Sequence, residues 1–173
     1  MRFLATSLAK FKPKEILSKR WRLEHASMID LDDEAILNKL KFIASIQPCH
    51  YTADIPWLGK YLSKTQLKKV YRWDRLKKNN QTICLGTDSP IEPVNPIRNF
   101  IAASQRTSIA LTALEVLQGY TINAAYASFK ESSRGLIKSG FDADFTLFSK
   151  NPLTGNYTDL RITGTIVNGE KVY

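Results

Sequence analysis

The residues of this sequence best suited to chemistry are two histidines, an aspartate and their polar neighbours. Each set stands just beyond a short strand-like run. Glu24-His25 follows Trp21-Arg22-Leu23, Gln47-Pro48-Cys49-His50 follows Phe42-Ile43-Ala44-Ser45-Ile46, and Gly86-Thr87-Asp88-Ser89-Pro90 follows Thr82-Ile83-Cys84-Leu85. A neutral imidazole and a carboxylate are usual ligands of a hydrolytic zinc or similar divalent ion, and a carboxylate beside bound water also shuttles its proton. His25 and Asp88 fit those roles. Taken singly, each has a plainer reading: a histidine that hydrogen-bonds at a strand end, and an aspartate that caps a turn before Ser-Pro. Their common position after three separate runs is what joins them.

The elements needed to bring them together follow from the pattern between the runs. Residues 3–17 suit a short helix interrupted or ended by Pro13, and residues 19–24 lead into a brief strand that ends at His25-Ala26. Asp30 or Asp32 is a natural N-cap for a helix with Ile36, Leu37 and Leu40 on one face. A second strand over 42–47 is cut off by Pro48. After a loop containing Trp57, residues 64–78 read as a basic helix ended by Asn79-Asn80, and residues 82–88 form the third strand. Strand, helix, strand, helix, strand is an α/β pattern, and strands apolar on both faces are expected in a covered parallel sheet. In a parallel barrel the carboxyl ends of the strands share one mouth, where the three polar sets would converge. Further on come a helix near 97–103 and a longer helical stretch over 110–129 broken near Gly119. Residues 143–148 alternate like a strand, and residues 162–167, Asn168-Gly169 and 170–173 read as a hairpin with a type I′ turn.

Composition narrows the classes. The chain has 173 residues, 43% hydrophobic and 10% aromatic, which are globular values and fall below the roughly 250 residues of a complete (β/α)8 barrel. No apolar run reaches the roughly 18 residues of a membrane span, and the first ten residues lack a signal-peptide core, so a cytoplasmic chain without membrane contact is expected. Cys49 and Cys84 have no CxxC spacing and read as buried thiols in a reducing compartment. The net charge of +9 lies wholly in the first half: residues 1–80 carry 17 Lys and Arg against 8 Asp and Glu, whereas residues 81–173 carry 8 of each. That excess is spread over helix-like segments with no nucleic-acid motif or aromatic stacking platform, so a solvated basic face is expected rather than nucleic-acid binding; a basic binding module is the alternative from another class.

Six blocks in order carry a resemblance: Arg22 to Ala26, Ser45 to His50, Leu85 to Pro90, Gly119 to Ala127, Gly135 to Leu147, and Thr165 to Gly169. Together they resemble the carboxyl-terminal part of an amidohydrolase, and more narrowly the amidohydrolase family 3 branch of metal-dependent C–N hydrolases. The resemblance implies a partial (β/α) barrel over residues 1–134, holding strands six to eight, and the last strands of a flanking β-sandwich over residues 135–173. It implies a divalent metal, zinc as the expected ion, and water attacking a small amide-type substrate. By the family pattern His25 is a metal ligand, and Asp88 binds metal or the attacking water and acts as general acid and base. His50, Gln47 and Ser89, with Pro90, are placed at the substrate pocket.

The family's His-x-His pair, its bridging group and a further histidine precede the stretch present here. The resemblance therefore describes a truncated member. Three βα units leave open parallel edges, so the expectation is a catalytically silent chain, completed by a separately encoded N-terminal chain or by homo-oligomerisation.

Overall fold

The computed structural model describes residues 6–8, 10–33, 36, 39–105 and 110–173. Three strands, β1 (Arg22–Glu24), β2 (Ile43–Ile46) and β3 (Thr82–Leu85), form a parallel sheet in sequence order. Leu23 pairs with Ala44, and Ser45 with Cys84. Parallel neighbours require crossovers, and the intervening helices supply them. The expected strands are thus present, though shorter than the sequence indicates at each carboxyl end.

The sheet has two unlike faces. Ala44, Ile46, Ile83 and Leu85 enter the main core with Leu40, Trp73, Leu76, Phe100 and Val116. The alternate residues turn the other way. Ile43 and Cys84 meet Ala127 in a small second cluster, Ser45 hydrogen-bonds both Cys84 and Glu24, and Arg22 pairs with Glu24 at 2.8 Å. The expectation of strands apolar on both faces is therefore corrected: one face carries a polar row, Glu24, Ser45 and Cys84. Burial pushes the Glu24 carboxyl up, but hydrogen bonds from Arg22 and Ser45 outweigh it and hold the group below its usual range.

The expected interruption of the first helix is present: residues 6–8 are helical, the helix is broken over 10–12, and Pro13 opens the next one, α1 (Pro13–Lys19), where its missing N–H costs nothing. The later helices depart from expectation in instructive ways. The supposed loop around Trp57 is α2 (Pro48–Tyr61), again opened by a proline. Pro56 lies within it on an exposed face, where a freed carbonyl can turn to water. The expected helix over 64–78 is split into α3 (Lys64–Leu67) and α4 (Trp73–Lys78). Between them the chain pairs with residues 27–29: Met28 bridges Val70, and Tyr71 N–H donates to Ser27 O at 2.7 Å with Tyr71 at a φ of 51°. That detour buries Val70, Tyr71 and Trp73. After Asp30 the chain makes a 3-10 turn over Leu31–Asp33; Leu37 of the expected helix lies outside the described residues.

Beyond β3 come α5 (Pro96–Ser104), α6 (Ala113–Tyr120) and α7 (Ile122–Ala127). The break, at Thr121 (φ −117°, ψ −98°), falls two residues past Gly119, near where the sequence indicates it. Three antiparallel strands close the chain: β4 (Phe145–Phe148), β5 (Ile162–Val167) and β6 (Glu170–Lys171). Asn168 and Gly169 have φ of 51° and 83°, the two positive values that a type I′ turn needs. This second sheet is docked on the first unit, with Tyr157 edge-on to Phe100 at 5.6 Å and Phe148 at 6.2 Å.

Much of the basic charge is locally matched. Lys69 pairs with Asp30, Arg72 with Asp74, Lys77 with Glu115 and Arg20 with Glu131; the Arg20 guanidinium holds the Glu131 carboxyl down to about 2. No described helix is long and apolar enough to cross a membrane.

Candidate metal centre

All three polar sets emerge at the carboxyl edge of the parallel sheet, and each is turned inward by a local backbone device. At the end of β1, His25 N–H donates to Ser45 O and Ala26 N–H to Glu24 O, both at 2.8 Å. The second bond closes a three-residue γ-turn with His25 at its apex, at a φ of 66°. A positive φ is costly for a residue with a Cβ, so the turn holds this imidazole in a strained place. Its Nδ1 lies 3.0 Å from Gln47 Oε1. An amide oxygen only accepts, so Nδ1 carries the proton and the Nε2 lone pair is left outward.

Gln47 is the N-cap residue of α2, and its own Nε2 donates to Ser45 O at 3.5 Å. Pro48 then starts the helix and places His50 in its first turn. The His50 ring stacks on His25 with centroids 5.7 Å apart and planes 23° from parallel. Its Nε2 is buried and has no hydrogen-bond partner among the described residues. A buried nitrogen of that kind normally costs free energy.

From β3 the ladder ends with Gly86 N–H to Ile46 O at 3.1 Å. Asp88 then takes a φ of 57°, a conformation aspartate tolerates better than most residues. Its Oδ2 comes to 3.9 Å from His50 Nε2, with the carboxylate 41% exposed. One ligand atom each from His25, His50 and Asp88 lies within 4.8 Å of the others. Ligands about 2.0–2.2 Å from a common ion stand roughly 3.5 Å apart, so small side-chain movements would close the set. Two imidazoles and a carboxylate with the remaining positions open are a donor set suited to a catalytic divalent ion, and the orphaned His50 Nε2 is the atom that most requires one.

The sequence grouped these residues differently. The resemblance pairs His25 with Asp88 at the metal and puts His50 at the substrate pocket; in the structure all three stand within ligand distance of one another. Gln47 orients His25. Ser89 is exposed in the turn beyond Asp88, and none of the described contacts of the cluster involves it. Cys49 and Cys84 are buried free thiols, each pushed up by burial. One residue escaped the sequence reading altogether. Asn99, fully buried in α5, accepts from Cys49 N–H at 2.8 Å and donates to Gly86 O at 2.9 Å and to Tyr120 Oη at 2.6 Å. A single amide beside Phe100, Ala102 and Ala103 in a mostly apolar helix was the available signal. Burial pushes the Tyr120 phenol up to about 12, with the bond from Asn99 opposing.

The chain is similar to several known proteins. The chain is 30% identical over 182 aligned positions to YtcJ of Bacillus subtilis (strain 168), which carries an amidohydrolase name, covering 96% of this chain and 34% of that protein. It is 31% identical to imidazolonepropionase of Vibrio parahaemolyticus over 86% of this chain and 34% of that enzyme. Among solved structures, an uncharacterized metal-dependent hydrolase from Pyrococcus horikoshii OT3 superposes with a TM-score of 0.71 at 29% identity, covering 81% of this chain and 31% of that one. Guanine deaminase of E. coli shares the fold, with a TM-score of 0.60 at 17% identity over 88% of this chain and 39% of that one. The chain thus spans about a third of the length of the curated relatives it matches. The sequence profile of the Amidohydrolase family matches residues 1–173, and the chain belongs to that family.

Proposed function

We propose that this chain contributes the carboxyl-terminal share of a metal-dependent amidohydrolase site that cleaves a carbon–nitrogen bond in a small amide-type substrate. His25, His50 and Asp88 would hold a divalent ion, with zinc the expected one. The observations that carry the reading are one ligand atom from each of the three residues within 4.8 Å of the others, and a buried His50 Nε2 with no hydrogen-bond partner among the described residues. A divalent ion held there supplies Lewis acidity toward a carbonyl. Gln47 fixes the His25 tautomer that leaves Nε2 free to ligate. Asp88, open to solvent, is the group to take a proton from the attacking water and return it to the leaving nitrogen. Ser89 lies next to Asp88 in sequence and is assigned to the substrate side.

The same reading makes β1 to β3 the last strands of a (β/α)8 barrel, residues 1–134, and β4 to β6 part of a flanking sandwich, residues 135–173. Full activity would then need strands from outside this stretch, supplied by a separate N-terminal chain or by further polypeptide, and the 173 residues alone would be catalytically silent. The buried thiols suit a reducing compartment, for which we propose the cytoplasm.

The deciding experiment is a Co2+ titration of the chain followed by visible absorption. One equivalent should bind, and His25→Ala, His50→Ala and Asp88→Ala should each weaken binding by about tenfold or more. Equal binding by all three variants would overturn the site.

A further inference from the structure

Asn99 is 0% exposed, and Phe100, Ala102 and Ala103 beside it in α5 are buried apolar side chains. A buried amide without partners costs free energy, so this one has to be explained by what it bonds. Its partners lie in the two segments that carry the candidate ligands. Cys49, which donates to Oδ1, immediately precedes His50; Gly86, which accepts from Nδ2, stands two residues before Asp88. The sheet's own ladder ends at the bond from Gly86 N–H to Ile46 O. Past that rung, the Asn99 side chain spans the opening between the start of α2 and the turn after β3. Its third bond, to Tyr120 Oη, anchors the amide to α6.

We infer that Asn99 is a positioning residue: acting through the backbone at Cys49 and Gly86, it sets the separation of His50 from Asp88 and the seat of His50 over His25. Its consequence for metal binding rests on the proposed site above, while its effect on the two imidazoles does not. The side chain contributes both an acceptor and a donor across the opening, which no apolar residue of similar volume can do and which aspartate can do only in part. Tyr120→Phe removes only the third partner and leaves the two bonds to the ligand-bearing segments.

The test compares Asn99→Leu, Asn99→Asp and Tyr120→Phe in the full chain. The first readout is the nuclear Overhauser cross-peak between the rings of His25 and His50, identified by single His→Ala variants because the chain has 2 histidines. The second is the Co2+ titration. Asn99→Leu and Asn99→Asp should lose the cross-peak and weaken Co2+ binding by about tenfold or more, and Tyr120→Phe should keep the cross-peak and bind within about twofold of wild type. Should Asn99→Leu not fold, Asn99→Asp, which preserves shape and the bond from Cys49, decides the matter. The inference is overturned if the Asn99 variants keep both signals, if Tyr120→Phe loses them equally, or if both Asn99 variants unfold while Tyr120→Phe folds. Wild-type chain that ignores Co2+, with the cross-peak lost only in the Asn99 variants, would remove the metal reading and leave the role of Asn99 standing.

Discussion

His25 holds its place in the cluster at a cost to the backbone. It occupies the apex of a γ-turn at a φ of 66°, with the amides on either side of that apex committed to Ser45 O and Glu24 O. A positive φ at a residue bearing a Cβ costs of order 1–3 kcal/mol, and glycine largely escapes the penalty. His25→Gly should therefore stabilise the chain by about 1 kcal/mol, raising the thermal midpoint by about 3 °C, while reducing Co2+ affinity as His25→Ala does. The alanine variant removes the imidazole but keeps the Cβ, so it should show no gain; equal stability of the two variants in calorimetry would show that the turn is unstrained. At this scale the sequence was informative about residue type and silent about geometry. His25 and Asp88 could be picked out because metal chemistry demands their side chains at strand ends. His50 could be placed at the same mouth, but not at ligand distance from them, because its ring reaches the cluster through a helix start at Pro48 where the sequence reads as a loop. The links from Gln47 to His25 and from Asn99 to Cys49 and Gly86 join residues 22, 50 and 13 positions apart, a pairing that no local pattern encodes.

Among the elements, α6 and β3 make the approach on which the Asp88 turn depends. A Cβ built on Gly119 would stand 2.7 Å from Leu85 Cγ and 2.8 Å from its Cδ1, and Leu85 is buried at the last position of β3. Neither side has room to give, so glycine is needed at this crossing for space, not for conformational freedom. Gly119→Ala should cost about 2 kcal/mol through overpacking, measured by chemical denaturation. Leu85→Ala in the same chain should relieve the clash, so that the double variant is more stable than the two single losses summed. Additive losses would mean that the helix does not press on the strand. The elements that were legible in advance obey local rules: the three short strands, and the hairpin whose Asn168-Gly169 supplies two positive φ values. Those misread were decided by tertiary packing. The basic stretch over 64–78 has a helical pattern throughout, yet pairing of Met28 with Val70 and burial of Trp73 divide it. Pro13 and Pro48 each signal a break in the sequence, and each also begins a helix.

For the molecule as a whole, the outer edge of β1 is the open question that the fold poses. Ile43 N–H bonds Trp21 O and His25 N–H bonds Ser45 O, so the backbone groups of residues 21, 23 and 25 face β2. Those of Arg22 and Glu24 turn the opposite way, where no other strand of the described sheet lies. The γ-turn takes up Glu24 O through Ala26 N–H, which leaves the Arg22 amide and carbonyl and the Glu24 amide facing no strand among the described residues. A bare strand edge of this kind is a template for another chain, and the polar row of Glu24 and Ser45 behind it has no described strand facing it. The isolated chain should therefore associate reversibly as its concentration rises in sedimentation velocity. Arg22→Pro takes away the outward N–H at the first residue of the strand, a position where proline is tolerated, and leaves Leu23 free to bond β2. It should weaken association by about tenfold while leaving Co2+ binding intact; the exposed ion pair to Glu24 that is lost with Arg22 is too weak to account for such a change. Undiminished association in Arg22→Pro would place the contact elsewhere on the surface. Loss of association together with unchanged metal binding would instead identify the β1 edge as the seam at which the rest of an amidohydrolase barrel is added, and would separate assembly from ligand positioning in the same small sheet.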